Sequence, residues 1–368
     1  MSDANLPFRA SLDEYQREAE ALIGALKGGN ETAEWRFKWL HPEFRGKSVT
    51  DVRGAQPELG LADAQIVIAH DYSFETWPDL AAFTEAVKQD GAVLRFEEAV
   101  EDIVAGNAAE LSRKLREHPD LIRARSIRRH HATLLHYIAA NGVEGVRQKT
   151  PTNAVEIAKI LLDAGAEPDA LADMYEQKCT TMSMLVSSCH PANAGLQGAL
   201  AEVLLDYGAA MNGKGSKWQS AVMTALSFGY LETARILARR GADTDDLCVA
   251  AGLGRLDLAS RLLSSADQSS RHAALALAAQ HGQTDIIRLL LDAGENPNRN
   301  NPEGFHSHST PLHQAVCAGH LEAVKLLLDR GARLDTRDTL YRSTPLGWAI
   351  YCEKPAIVKY LRARGAPA

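Results

Sequence analysis

The chain has 368 residues, 45% of them hydrophobic, so apolar surface is ample, but the length exceeds what one ordinary compact core organises. A formal net charge of −7 argues against a protein that coats nucleic acid, because phosphate neutralisation needs a basic face. The apolar runs are far too short to span a bilayer, and the opening MSDANLPFRA lacks a charged-then-apolar leader, so the expectation is a cytoplasmic protein with no membrane partner.

Residues 1–91 contain no repeat. Leu12, Ala19, Leu22, Ile23 and Leu26 form the apolar stripe of a helix that Gly28-Gly29 ends. Asn30 is placed to cap the next helix, which carries Trp35, Phe37, Trp39 and Leu40. Leu61–Ala69 reads as helical, and a further helix starts near Trp77 with Pro78 in its first turn. These aromatics suit a cap over the exposed apolar end of a repeat stack better than a ligand cage.

From residue 92 the pattern changes to pairs of short amphipathic helices. The first pair covers Phe96 to Gly106 and Ala108–Glu117. The second opens at His131-Ala132-Thr133-Leu134-Leu135-His136 and closes with Asn153–Ala164, interrupted by the insertion VEGVRQKTPT at 143–152. The third runs over 178–212, with Cys189–Gly195 in place of a one-glycine turn. Ser220–Ala242, Asp246–Ser264 and Arg271–Asn298 follow, and then a long loop at 300–308. In STPLHQAVCAGHLEAVKLLLDRGARLDTRD, Thr310 and Pro311 start a helix, Gly319 breaks it, and Gly331 stops its successor. Pro311 and Pro345 stand 34 residues apart, as do Gly331 and Gly365; Gly208 and Gly241 stand 33 apart, whereas Gly165 and Gly208 stand 43 apart.

Thr310-Pro311-Leu312-His313, with Gly331-Ala332 and the period near 33, resembles the ankyrin repeat family. That resemblance implies an all-α ankyrin-repeat solenoid of about eight helix-turn-helix units at 92–368, preceded by a helical N-terminal cap at 1–91. It implies a structural His313 that bonds near its helix start, and a binding surface on the concave side, lined by first helices and loops. LADAQIVIAHDYSFETWPDL, NGVEGVRQKTPTNAVEIAKILLDAGA and TTMSMLVSSCHPANAG are similar to segments of a group of bacterial ankyrin-repeat proteins. Mapped on the family pattern, Tyr137, Asn141, Ser187, Phe228, His281 and Tyr351 fall near the concave side, and Trp218 borders it. Fold of this kind does not fix function.

Interruptions of a stacking period cost loop ordering without burying more core, so they mark candidate sites. Arg147 and Lys149 in the insertion, next to the run Arg123, Arg125, Arg128, Arg129, His130 and His131, form either an anion clamp or a solvated loop. His131, Glu144 and His190 are acid/base types; converging at 130–190 they would make a lyase, isomerase or hydrolase, though no nucleophile elbow, phosphate loop or HExxH occurs. His306-x-His308 offers two imidazoles, but no diagnostic partner, so a solvated loop is preferred over a metal site. The five cysteines form no CxxC and read as small core or groove residues in a reducing compartment. Two readings stand open: a scaffold binding a protein or a small polar or anionic ligand, and an enzyme built in the irregular repeats. Neither calls for a cofactor or a metal.

Overall fold

The computed structural model describes residues 6–212 and 220–367; Trp218 lies outside the described residues. The chain divides into two compact units, residues 1–219 and 220–368. Eight helix pairs occur among the described residues, three in the first unit and five in the second. Among the described residues the molecule is all-α apart from one short hairpin.

The first unit begins with five helices, Leu12–Lys27, Glu31–Leu40, Val49–Ala55, Leu61–Asp71 and Trp77–Ala86. Asn30 accepts a hydrogen bond from the Ala33 amide, and Thr76 and Asp79 cap Trp77–Ala86 reciprocally. Tyr15, Phe37, Phe44, Ile68, Phe74, Leu80 and Phe83 share one core. Trp35 and Trp39 do not join it. They stack on each other at the surface, with Lys38 Nζ 3.4 Å from the Trp39 ring centre. The extension packs on the first repeats: the Arg129 amide donates to Ser73 O at 2.9 Å, and Arg45 pairs with Glu176 at 2.5 Å.

The first repeat pair is Ala92–Ala105 and Ala108–Glu117, turned by Gly106 in the left-handed conformation. The second departs from expectation. Its first helix, Leu134–Ala139, is a single stretch of 3₁₀ helix closed by Ala140 at φ 47°. Leu134 stands where the motif has proline, and the insertion follows the helix after three residues. Thr181–Leu185 and Gln197–Asp206 form the third pair, and the expected turn at Cys189–Gly195 holds a short helix, Cys189–Asn193. A hairpin, Ala172–Met174 against Gln177–Cys179, connects the second and third pairs. Tyr175 and Glu176 take its positive-φ turn positions.

In the second unit the first helices of consecutive pairs, Ala221–Ser227, Leu247–Leu253, Gln268–Gln280, Pro311–Ala318 and Pro345–Tyr351, pack side by side. Their partners, Leu231–Arg239, Leu256–Leu263, Thr284–Asp292, Leu321–Asp329 and Pro355–Ala363, form the second row. His313 takes the structural place that the motif implies. Its Nδ1 accepts from the Thr310 amide and hydroxyl (3.3 and 2.8 Å), leaving the proton on Nε2, which faces Ser343 O of the next repeat at 3.4 Å. His136 repeats the arrangement with Thr133 and Cys179 O. One correction concerns thiols: Cys317 and Cys352, on neighbouring first helices, are joined in a disulfide, with Cα atoms 5.4 Å apart.

Candidate functional site

The irregular second repeat is organised by a buried ionic network. Glu97 and Glu101 are one turn apart on Ala92–Ala105, so both carboxylates reach the same neighbour. That neighbour is Arg147: its Nη1 is 2.5 Å from Glu97 Oε2, and its Nε is 2.9 Å from Glu101 Oε1. Arg128 contacts Glu97 at 3.1 Å and also pairs with Glu144, while its Nη1 donates to Tyr72 O at 2.6 Å. Its guanidinium lies over Phe74 and Phe83, 4.7 and 4.5 Å from the ring centres. The arginine therefore ties the extension's aromatic core to the repeats.

Glu97, Arg128, His130, Glu144 and Arg147 are all buried. Burial alone would raise the Glu144 carboxyl, but the Arg128 guanidinium and His130 outweigh it and hold it below the usual carboxylate range. Burial, reinforced by Glu144, pushes the Tyr137 hydroxyl well above its ordinary value; that hydroxyl lies 3.4 Å from Glu144 Oε1. Two arginines against two buried glutamates, with half-exposed Glu101 at the margin, neutralise one another locally.

Several sequence-derived candidates accordingly sit elsewhere than expected. Arg147 is no open clamp, because its guanidinium is committed to Glu97, Glu101 and Glu144, and Lys149 is exposed outside the network. His131 points outward to Asp173 Oδ2 at 3.1 Å, and it is the preceding residue, His130, that faces Glu144. His190 is half-buried in the short helix Cys189–Asn193. Among the described residues no hydrogen bond or ion pair joins any two of His131, Glu144 and His190. Tyr137 is core, packed edge-on against Phe96 and His130. His281 is core as well, its Nε2 2.9 Å from Leu226 O, and burial lowers its pKa to about 4.

Asn141 and Ser187 do come together. Asn141 Nδ2 donates to Ser187 Oγ (2.9 Å) and Met184 O (3.2 Å), and Tyr175 donates to Asn141 Oδ1. Ser188 donates to Ala140 O, so the residues just ahead of the two stretched turns are neighbours. The partners are mutual, which makes this a structural seam between repeats. Sequence reasoning missed Glu97, Glu101 and Arg128 as the heart of the network; the i,i+4 glutamate pair on an otherwise apolar helix face was the available signal. Beside Glu97 lies a cavity of about 70 Å³, lined by Phe96, Arg125 and Ile127 among others, well below the several hundred Å³ of ordinary small-molecule sites.

In the second unit the candidates at the surface are Phe228 and Tyr351, the latter 88% exposed. The loop at 337–343 adds Leu340 and Tyr341, 61% and 69% exposed, and Ile350 precedes Tyr351 on the last first-row helix. The loop at 300–308 reaches back, placing His306 Nε2 3.0 Å from Ser227 O. His308 packs edge-on to Tyr341 and tilted against Trp348. Among the described residues no group of three or more His, Cys, Asp or Glu side chains gathers to hold a metal, and no helix is long and apolar enough to cross a membrane.

Comparison with known proteins agrees with this geometry. An ankyrin-repeat family model matches residues 192–301, 247–338 and 299–367. An ankyrin repeat-containing protein of Schizosaccharomyces pombe is 38% identical over 78 residues, 21% of this chain and 34% of its own length. A serine/threonine-protein kinase of Arabidopsis thaliana is 35% identical over 88 residues, 24% of this chain and 18% of its own. An ankyrin repeat and KH domain-containing protein of Caenorhabditis elegans is 29% identical over 222 residues, 57% of this chain but 8% of its own. The chain thus spans 34% or less of the length of these relatives. With paired helices stacked in two rows, the capping histidine of the TPLH motif in place and the matched segments covering the last five pairs, the chain belongs to the ankyrin repeat family.

Proposed function

We propose that this protein is a binding scaffold whose working surface is the face of the second unit formed by the first-row helices and the loops that precede them. Leu340, Tyr341, Ile350 and Tyr351 carry the reading: four large apolar side chains are held out of the core on one tip and the helix that follows it. Scattered exposed apolar residues need no explanation, but a group of this kind, rich in tyrosine, has the composition of a protein-binding hot spot. At the irregular second repeat, the smallness of the cavity beside Glu97 and the mutual neutralisation of the buried charges weigh against a small anionic ligand. The separation of His131, Glu144 and His190 likewise weighs against an acid/base enzyme at 130–190. On this reading the division at 91/92 is between a cap and the repeats it covers, with Arg128 as the rivet.

The test is in-cell crosslinking and mass spectrometry with wild type and a Tyr341→Ala/Tyr351→Ala variant. The reading expects a reproducible partner whose crosslinks map to 337–354 and disappear in the variant. Crosslinks that persist unchanged, or that map only to the first unit, would overturn it.

A further inference from the structure

The tip of the loop at 337–343 is unusual in how its single carboxylate is used. Asp338 is buried, and its two oxygens accept from the amides of Leu340 (2.9 Å), Tyr341 (2.6 Å) and Ser343 (2.9 Å) and from Trp348 Nε1 (3.1 Å). Four donors on one carboxylate fix the tip and anchor it to the helix Pro345–Tyr351. Leu340 and Tyr341 are thereby presented in one conformation before any partner arrives, which reduces the ordering cost of binding. Trp348 and Tyr351 are three residues apart on that helix, so Tyr351 continues the same side.

The same use of Asp338 leaves the tip cationic. Several arginines of this unit are matched to carboxylates, among them Arg330 with Asp292, Arg364 with Asp329, and Arg333 with Asp335. Arg337 and Arg342, like Arg255 and Arg271, are not. Arg337 Nη1 donates to Arg342 O at 2.9 Å, and neither guanidinium forms an ion pair among the described residues. The carboxylate that stands between them in sequence is already satisfied by neutral donors. Two unmatched guanidiniums thus flank two exposed apolar side chains on a preordered loop.

We infer that the 337–343 tip, with Tyr351 beside it, docks an acidic segment of a partner protein, its carboxylates on Arg337 and Arg342 and a large apolar side chain against Leu340, Tyr341 and Tyr351. This rests on the reading of the second unit as a protein-binding surface and adds the partner's chemistry. Guanidinium pairs carboxylates bidentately, and such pairs at an interface set both specificity and association rate. A basic or neutral segment would leave both arginines desolvated without a counter-charge.

The experiment uses the full chain and fluorescein-labelled short peptides in which acidic content and Leu/Phe content vary independently, read by anisotropy at low and high salt. Acidic peptides carrying an apolar residue should bind best, weaken steeply as salt rises, and lose about tenfold or more on Arg337→Glu/Arg342→Glu. Tyr351→Ala should weaken binding at every salt concentration. If peptides bind regardless of charge and the charge reversal changes nothing, while Tyr351→Ala still weakens them, the acidic-partner inference fails and the binding surface stands. If no peptide binds, or Tyr351→Ala is silent, both fail. Self-association that disappears in the charge-reversed variant, seen by sedimentation without peptide, would replace the partner segment with a second copy of this chain and overturn the inference. Unchanged melting temperatures of both variants exclude unfolding as the cause.

Discussion

His130 Nε2 lies 3.5 Å from Glu144 Oε2, whereas His131, the next residue, turns away to Asp173 at 3.1 Å. His130 Nδ1 accepts from the Ala132 amide, so the ring's proton is on the nitrogen that faces the carboxylate. The reversal between neighbours follows from His131 at φ 48°, a left-handed step that sends consecutive side chains to opposite sides of the loop.

Glu144 is therefore predicted to be structural. Glu144→Ala leaves Arg128 and Arg147 short of a counter-charge in the core and should cost about 3–5 kcal/mol. His131→Ala breaks only a surface pair and should cost less than about 1 kcal/mol. Urea unfolding of the two variants checks the contrast. Equal costs would mean that the network is not what holds this repeat. Because Arg128 also binds Tyr72 O, Arg128→Ala should expose amides of 61–87 to hydrogen exchange before the later repeats open.

The repeats were legible in the sequence because their signals are local: Thr310-Pro311-Leu312-His313 caps its own helix, and glycines at a spacing of 33–34 mark turns that need positive φ. The network was not, since it assembles Glu97, Arg128, Glu144 and Arg147 from separate elements, and insertion residues that look solvent-exposed by composition are buried by tertiary contact. Tyr137 and His281 were misplaced for a related reason. The family pattern gives a position on a helix, but Tyr137 sits in the 3₁₀ helix at 134–139 and His281 just past the end of Gln268–Gln280, and both side chains are buried. The disulfide escaped because Cys317 and Cys352 are 35 residues apart, one off the repeat spacing. A separation so near the period was the signal that two thiols lie on stacked helices.

Three buried histidines predict how stability depends on pH. Burial lowers His136, His281 and His313 to about 4, against an ordinary value near 6.5. As pH falls from about 6.5 to 4, the unfolded chain takes up protons that the folded chain refuses, so stability is lost on acidification across that window. The loss is on the order of 1–3 kcal/mol per histidine. Urea midpoints should fall accordingly between pH 7 and pH 4.5. His313→Gln should be less stable at pH 7 and show a shallower pH dependence; an unaltered slope would mean that His313 takes up its proton equally in the folded and the unfolded chain.

The Cys317–Cys352 bridge predicts a measurable staple. Two of the five cysteines are tied, and Cys179 and Cys248 are buried, so brief maleimide labelling of the oxidised native protein should modify Cys189 first. Closing a loop of this length stabilises by about 2–4 kcal/mol, so Cys317→Ser should lower the melting temperature of oxidised protein and leave reduced protein nearly unaffected. Equal melting of oxidised wild type and variant would refute the staple.

First-row helices pack closely at Gly252. A methyl group there would come within 2.9 Å of Leu226 Cδ1, inside the distance that packed carbons tolerate, although its backbone is ordinary helix. Alanine is the better helix former by about 1 kcal/mol, so propensity alone predicts that Gly252→Ala stabilises. Overpacking costs about 1–3 kcal/mol and should win, because Leu226 is fully buried, and His281 pins its carbonyl. Gly252→Ala is expected to be destabilising, and Leu226→Val in the same chain should restore part of the loss by making room for the methyl. A stabilised Gly252→Ala would show that these two helices have slack at their contact.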